Sequence, residues 1–125
     1  MTVSAAQSAA PKAEDLLVQA RELQSQGQMD LASQLLHQAR QKDPRNQRIQ
    51  VAAALLAESR DLTSEALGYW RELIRTSEPG GPLRNLALAR AHLVEERIRL
   101  EQVARLREET LAKPPRKLAR TGLEA

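Results

Sequence analysis

Apolar residues recur at helical spacing along most of this chain. Leu16, Leu17, Ala20 and Leu23 fall on one face, as the three-and-four spacing of an amphipathic helix requires. They predict a helix over residues 13–25. Gln26-Gly27-Gln28 interrupts it, and Gly27 supplies the left-handed backbone of a tight turn. Ala32, Leu35, Leu36 and Ala39 give an inward face to a second helix over 29–42. Asp43-Pro44 stops that helix, because the residue before proline disfavours the helical region. A third helix, rich in Ala and Leu, is expected over 47–59, and a turn follows at Arg60-Asp61-Leu62-Thr63. Thr63 or Asp61 is the candidate cap of the fourth helix. That helix carries Ala66, Leu67, Tyr69, Trp70, Leu73 and Ile74 and runs to about residue 76. Glu78-Pro79-Gly80-Gly81-Pro82 is a firm break.

The first four helices repeat themselves. Ala20 recurs as Ala54, Ala32 as Ala66, Leu36 as Trp70 and Ala39 as Leu73, each 34 residues later. A fixed period of this length is the mark of a helical solenoid, in which each repeat is one helix hairpin. Small Ala at 20, 32, 54 and 66 lets helix axes approach, while Leu36 and Trp70 fill the space beside them. From Leu83 to Ala112 no Gly or Pro occurs. Read by the repeat, this stretch turns near residues 95–97 and makes a third, degenerate hairpin. Read locally, it is one helix of about thirty residues. The repeat reading is the one carried forward, although Leu100 falls where Ala32 and Ala66 sit and would push a hairpin apart. Leu86, Leu93 and Leu100 are spaced by seven, but Arg107 interrupts the series. Packing within the repeat is therefore preferred to a coiled-coil seam.

Composition sharpens the class. Of the 125 residues, 42% are apolar, yet there is one Trp, one Tyr and no Phe. The core must therefore be aliphatic. Helix formers dominate and no run of alternating β-branched residues occurs, so the fold class is all-α. Without Cys, disulfides, thiolate metal sites and a Cys nucleophile are excluded. No basic start followed by an apolar block resembles a secretion signal, and no apolar run approaches a membrane span. A cytoplasmic protein is the expectation. The net charge of +3 lies at one end: residues 1–112 balance fifteen cations against fifteen anions, while Lys113, Arg116, Lys117 and Arg120 face only Glu124. Residues 1–12 read as a disordered leader and 113–125 as a basic, disordered tail.

Residues 13–46 resemble a tetratricopeptide repeat. The series Leu16, Ala20, Leu23, Gly27, Ala32, Leu36, Ala39 and Asp43-Pro44 meets most of that repeat's key places. The turn QGQMDLA and the end KDPRN are typical of it. Residues 47–80 are a weaker second copy, with Asp61 in place of Gly27 and Gln50 in a place usually bulky and apolar. The resemblance implies a short right-handed α-solenoid of two clear repeats and one degenerate repeat over 13–112. It also implies a concave groove, lined by the first helix of each repeat, that binds a peptide or helix of another protein. The groove places carry over as Leu17, Arg21 and Gln24, then Val51, Leu55 and Glu58, then Asn85, Ala89 and His92. Some members clamp a C-terminal carboxylate with Lys and Asn. Here those places hold Leu17, Arg21 and Ala52, so no such clamp is expected.

Candidate chemistry is thin. His37 and His92 are the only histidines and have no second ligand at metal spacing. His37 is expected on an exposed face. Glu95-Glu96 and Glu108-Glu109 interleave with Arg on a charged helix face, with Glu101 and Arg105 as one expected ion pair. Pro79-Gly80-Gly81-Pro82 lacks the Lys and Ser/Thr of a phosphate loop. Trp70 is expected in the core and Tyr69 between helices. No enzyme, cofactor or metal is expected. The leading function is an interaction module, a scaffold or adaptor. The alternatives are a structural subunit or homo-oligomer using residues 83–112, or a nucleic-acid or ribosome-associated protein using the Arg-rich end.

Overall fold

A computed structural model describes residues 11–112. The leader expected at 1–12 lies outside the described residues except for Pro11 and Lys12, and the basic tail at 113–125 lies outside them entirely. Five helices follow one another: α1 (Ala13–Ser25), α2 (Met29–Lys42), α3 (Gln47–Ser59), α4 (Thr63–Thr76) and α5 (Pro82–Ala112). The described residues are all-α.

The period is present in the backbone itself. Helices α1 and α3 have 13 residues each and α2 and α4 have 14, offset by the same 34 positions. Both interhelical turns have one geometry. Gly27 and Asp61 have φ of 79° and 59°. Gln28 and Leu62 follow with φ, ψ of −88°, 71° and −88°, 69°. The Gln28 N–H donates to the Leu23 carbonyl and the Leu62 N–H to the Ala57 carbonyl, both at 2.9 Å. This is the bond that closes a helix through a left-handed residue. Glycine enters that conformation freely. Asp61 tolerates it as one of the few short polar residues that can. Neither Asp61 nor Thr63 caps α4, contrary to expectation. Leu62 holds the cap position without a side-chain bond, and the Asp61 carboxylate accepts from Arg97 at 2.6 Å instead. The real cap is at α3, where Asn46 Oδ1 accepts from the N–H groups of Arg48 and Ile49.

Each helix packs on the next, and α1 also touches α3. Two aliphatic clusters form the core. Leu16, Leu17, Ala20, Ala32, Leu36, Ala39, Ile49 and Leu56 build the first. Ala54, Ala57, Ala66, Leu67, Trp70, Leu73, Ala87, Ala91 and Val94 build the second. Helix α3 supplies both, through Ile49 and Leu56 on one side and Ala54 and Ala57 on the other. The four repeating alanines at 20, 32, 54 and 66 are at most 1% exposed, and Trp70 is fully buried.

The third hairpin does not form. Helix α5 runs unbroken through the expected turn at residues 95–97. Val94 and Glu95 stand where Gln26 and Gly27 stand in the first repeat, and a left-handed conformation is costly for either. Val94 is fully buried, so the helix stays anchored past the place where it would have to open. Leu83, Ala87, Ala91, Val94 and Ile98 seat the first half of α5 on α3 and α4. Residues 99–112 are exposed without exception. Leu86, Leu93 and Leu100 do not pack within a repeat as expected; they are 44%, 51% and 65% exposed. The Glu101–Arg105 pair is absent as well; in this helix Arg99 holds Glu96 at 3.2 Å.

Candidate functional site

Helix α3 sits between its neighbours and leaves one strip to solvent, along Arg48, Leu55 and Ser59. On one side Arg48 and Asn46 reach Glu14 of α1, at 3.0 and 2.8 Å. On the other Glu58 reaches Arg90 of α5. The strip therefore lies between α1 and α5. The same repeat places on those helices are open too. Three first helices in one register thus build one continuous face, with Arg21, Leu55 and Ala89 at equivalent places, all exposed.

The nine residues assigned to the groove from sequence divide by repeat place. Arg21, Leu55 and Ala89 are on the open face as expected, and Gln24 is half-buried beside it. Leu17 is not on it. Its side chain is 0% exposed in the first cluster. Val51, its equivalent, is half-buried against the second cluster. Each is covered by the core it shares with the following helices. Asn85, with no further helix behind it, is exposed. The third set behaves the same way: His92 is exposed, while Glu58 is occupied.

Glu58 is a structural clamp. Trp70 Nε1–H donates to its Oε2 at 2.7 Å, and Arg90 Nε–H donates to the same oxygen at 3.2 Å. Arg90 also pairs with Glu58 Oε1. The Glu58 side chain is 9% exposed. It satisfies the one polar atom of a buried Trp and joins α3, α4 and α5. The hydrogen bond that Arg90 donates to Glu58 raises its guanidinium above the ordinary arginine value, against the opposing effect of desolvation.

The face also includes residues missed by sequence reading. Val18, Ala52 and Leu86 are one repeat apart and stand beside Arg21, Leu55 and Ala89 on their helices; Val18 is 63% and Leu86 44% exposed. Leu93 continues it on α5. The signal was present in the 34-residue spacing of the three, of which Ala52 also packs against the first cluster while Val18 and Leu86 belong to neither. The open face is thus Val18, Arg21, Leu55, Leu86, Ala89 and Leu93, with half-buried Ala52 among them and Arg48 and Ser59 at the ends of the α3 strip.

A well-formed cavity lies elsewhere. A cleft of about 690 Å³ opens between α2, α3 and α4, walled by His37, Arg40, Arg60, Glu65 and Tyr69 and floored by Leu36, Ala53, Leu56 and Ala57. Its cations are engaged: Arg40 lies over the Tyr69 ring at 4.7 Å and Arg60 pairs with Asp30 at 2.6 Å. None of the nine groove residues lines it. A second cleft, of about 510 Å³, is lined by Gln50 and Arg75 among others. Gln50 Oε1 is buried there without a partner. His37 is exposed and within 3.3 Å of Gln41. Among the described residues no three His, Asp or Glu side chains gather as a metal set, and no helix is long and apolar enough to cross a membrane. Compared with protein-family models, curated proteins and solved structures, the chain matches none.

Proposed function

We propose that this chain is a protein-interaction module, a cytoplasmic scaffold or adaptor of tetratricopeptide type, which holds a peptide or helix of a partner against the open face of α1, α3 and α5. One observation carries the reading. The only open strip of the most buried helix presents Leu55, 44% exposed, next to apolar residues at equivalent repeat places on both flanking helices. Exposed apolar residues gathered on one face mark an interaction surface far more often than scattered ones do. The face is shaped by stacked helices rather than by loops, so it is preorganised, and a partner does not need to order it. Of its two cations Arg48 is paired with Glu14; Arg21, at the α1 end, gives a bound segment a preferred direction when that segment carries an acidic residue.

The test uses two variants on the face and one away from it. Leu55→Arg and Ala89→Arg replace exposed residues, so the fold is retained. Each is expected to weaken a partner captured from the native cell by at least about tenfold. His37→Glu, on the wall of the α2–α4 cleft, is expected to leave that partner attached. A partner that stays bound to both face variants overturns the proposal.

A further inference from the structure

Residues 99–112 form fourteen residues of helix that are exposed throughout and belong to neither core cluster; of them only Arg99 makes an ion pair among the described residues, with Glu96 one turn before it. A free helix of that length is marginal in water. Leu93, Leu100 and Val103 nonetheless share a stripe that the bundle does not use, with Glu96, Arg107 and Thr110 at its other places. Leu93, Glu96, Leu100, Val103, Arg107 and Thr110 are spaced three, four, three, four, three, which is the seam of a two-stranded coiled coil. This seam lies on a different side of α5 from Leu83, Ala87, Ala91, Val94 and Ile98, which hold the bundle.

We propose that this stripe pairs with the same stripe of a second copy of the chain, antiparallel, about a two-fold axis passing between residues 101 and 102. The two charges that interrupt the stripe decide the partner and the direction. An antiparallel pair sets Glu96 against Arg107 of the other copy, twice, by symmetry. It sets Leu100 against Val103 and Leu93 against Thr110 in the same register. A parallel pair in register would set Glu96 on Glu96 and Arg107 on Arg107, which is repulsive at both layers. Glu96 holds only its neighbour Arg99 in the single chain, an exposed pair it can exchange. The register keeps the two bundles at opposite ends of the shared helices. The pairing covers Leu93 at the end of the open face but leaves Leu86 and Ala89 outside the paired segment, so the dimer presents two faces, each without Leu93, and binds a repeated or paired partner with avidity. The pairing rests on α5 alone; only this last step rests on the proposed partner-binding face, and a monomer that still binds its partner separates the two failures.

The 125-residue chain is examined by sedimentation equilibrium over a range of concentrations. The expected result is a reversible dimer. Glu96→Arg and Arg107→Glu are each expected to weaken it at least about tenfold, and the double swap is expected to restore it to within about threefold. Because the chain has no Cys, Glu96→Cys and Arg107→Cys chains can be mixed and oxidised. A disulfide-linked heterodimer formed faster than either homodimer is the antiparallel result. A chain that remains monomeric, a double swap that stays dissociated, or faster crosslinking of Glu96→Cys to itself overturns the proposal.

Discussion

Glu58 shows how one residue changes meaning between the sequence and the folded chain. By repeat place it belongs to a binding groove. By contact it is the acceptor for Trp70, a large ring that the aliphatic core encloses completely. A buried indole N–H without an acceptor loses its bond to water with nothing in exchange. Arg90, 35% exposed, can recover hydration if Glu58 is removed, whereas Trp70 cannot. Most of the cost of Glu58→Ala therefore falls on the indole. It is expected to destabilise the chain by about 2 kcal/mol in a urea titration. A midpoint unchanged from the parent would show that the clamp holds nothing together. Asp61 changes meaning in the same way: expected as a cap, it serves as the left-handed residue of the turn, where the first repeat uses Gly27.

Among the helices, α1, α2 and α3 begin and end at the residues expected, and α4 ends where expected but begins at Thr63, inside the expected turn. Their ends carry local signals: Gly27, Asp43-Pro44, Asn46 and the Pro-Gly run at 79–82. The expected turn at residues 95–97 carries none, and there a weak echo of the repeat conflicted with a continuous run of helix formers. The continuous run prevails because Val94 and Glu95 cannot supply the turn and Leu100 cannot sit where Ala32 and Ala66 pack. Helix α5 consequently has two halves of different standing. Its first half is anchored by Ala87, Ala91 and Val94 in the core, with Leu83 and Ile98 packed against them; its second half is exposed throughout and belongs to neither cluster. Amides in 99–112 are expected to exchange with solvent faster than those in 83–98 at low protein concentration, and to gain at least about tenfold protection when the chain associates. Equal protection of both halves at every concentration would contradict this division.

At the scale of the whole molecule, a common register does two things at once. It brings equivalent places of α1, α3 and α5 onto one face, and it buries other places between successive helices. Sequence reading located the face through Arg21, Leu55 and Ala89. It also included Leu17 and Val51, because a single repeat does not reveal what the next one covers. It missed Val18 and Leu86 for the converse reason: exposed apolar residues look like core until the core is seen to be complete without them. Both surfaces proposed here, the face and the antiparallel stripe, require α5 to be one helix that leaves the bundle. The most direct measurement is a distance between spin labels at Asn85→Cys and Glu109→Cys, two exposed positions in a chain with no other Cys, diluted with unlabelled chain. A continuous α5 predicts a backbone separation of about 36 Å. A separation of about 10–15 Å, as in a helix folded back on itself at residues 95–97, would contradict the account.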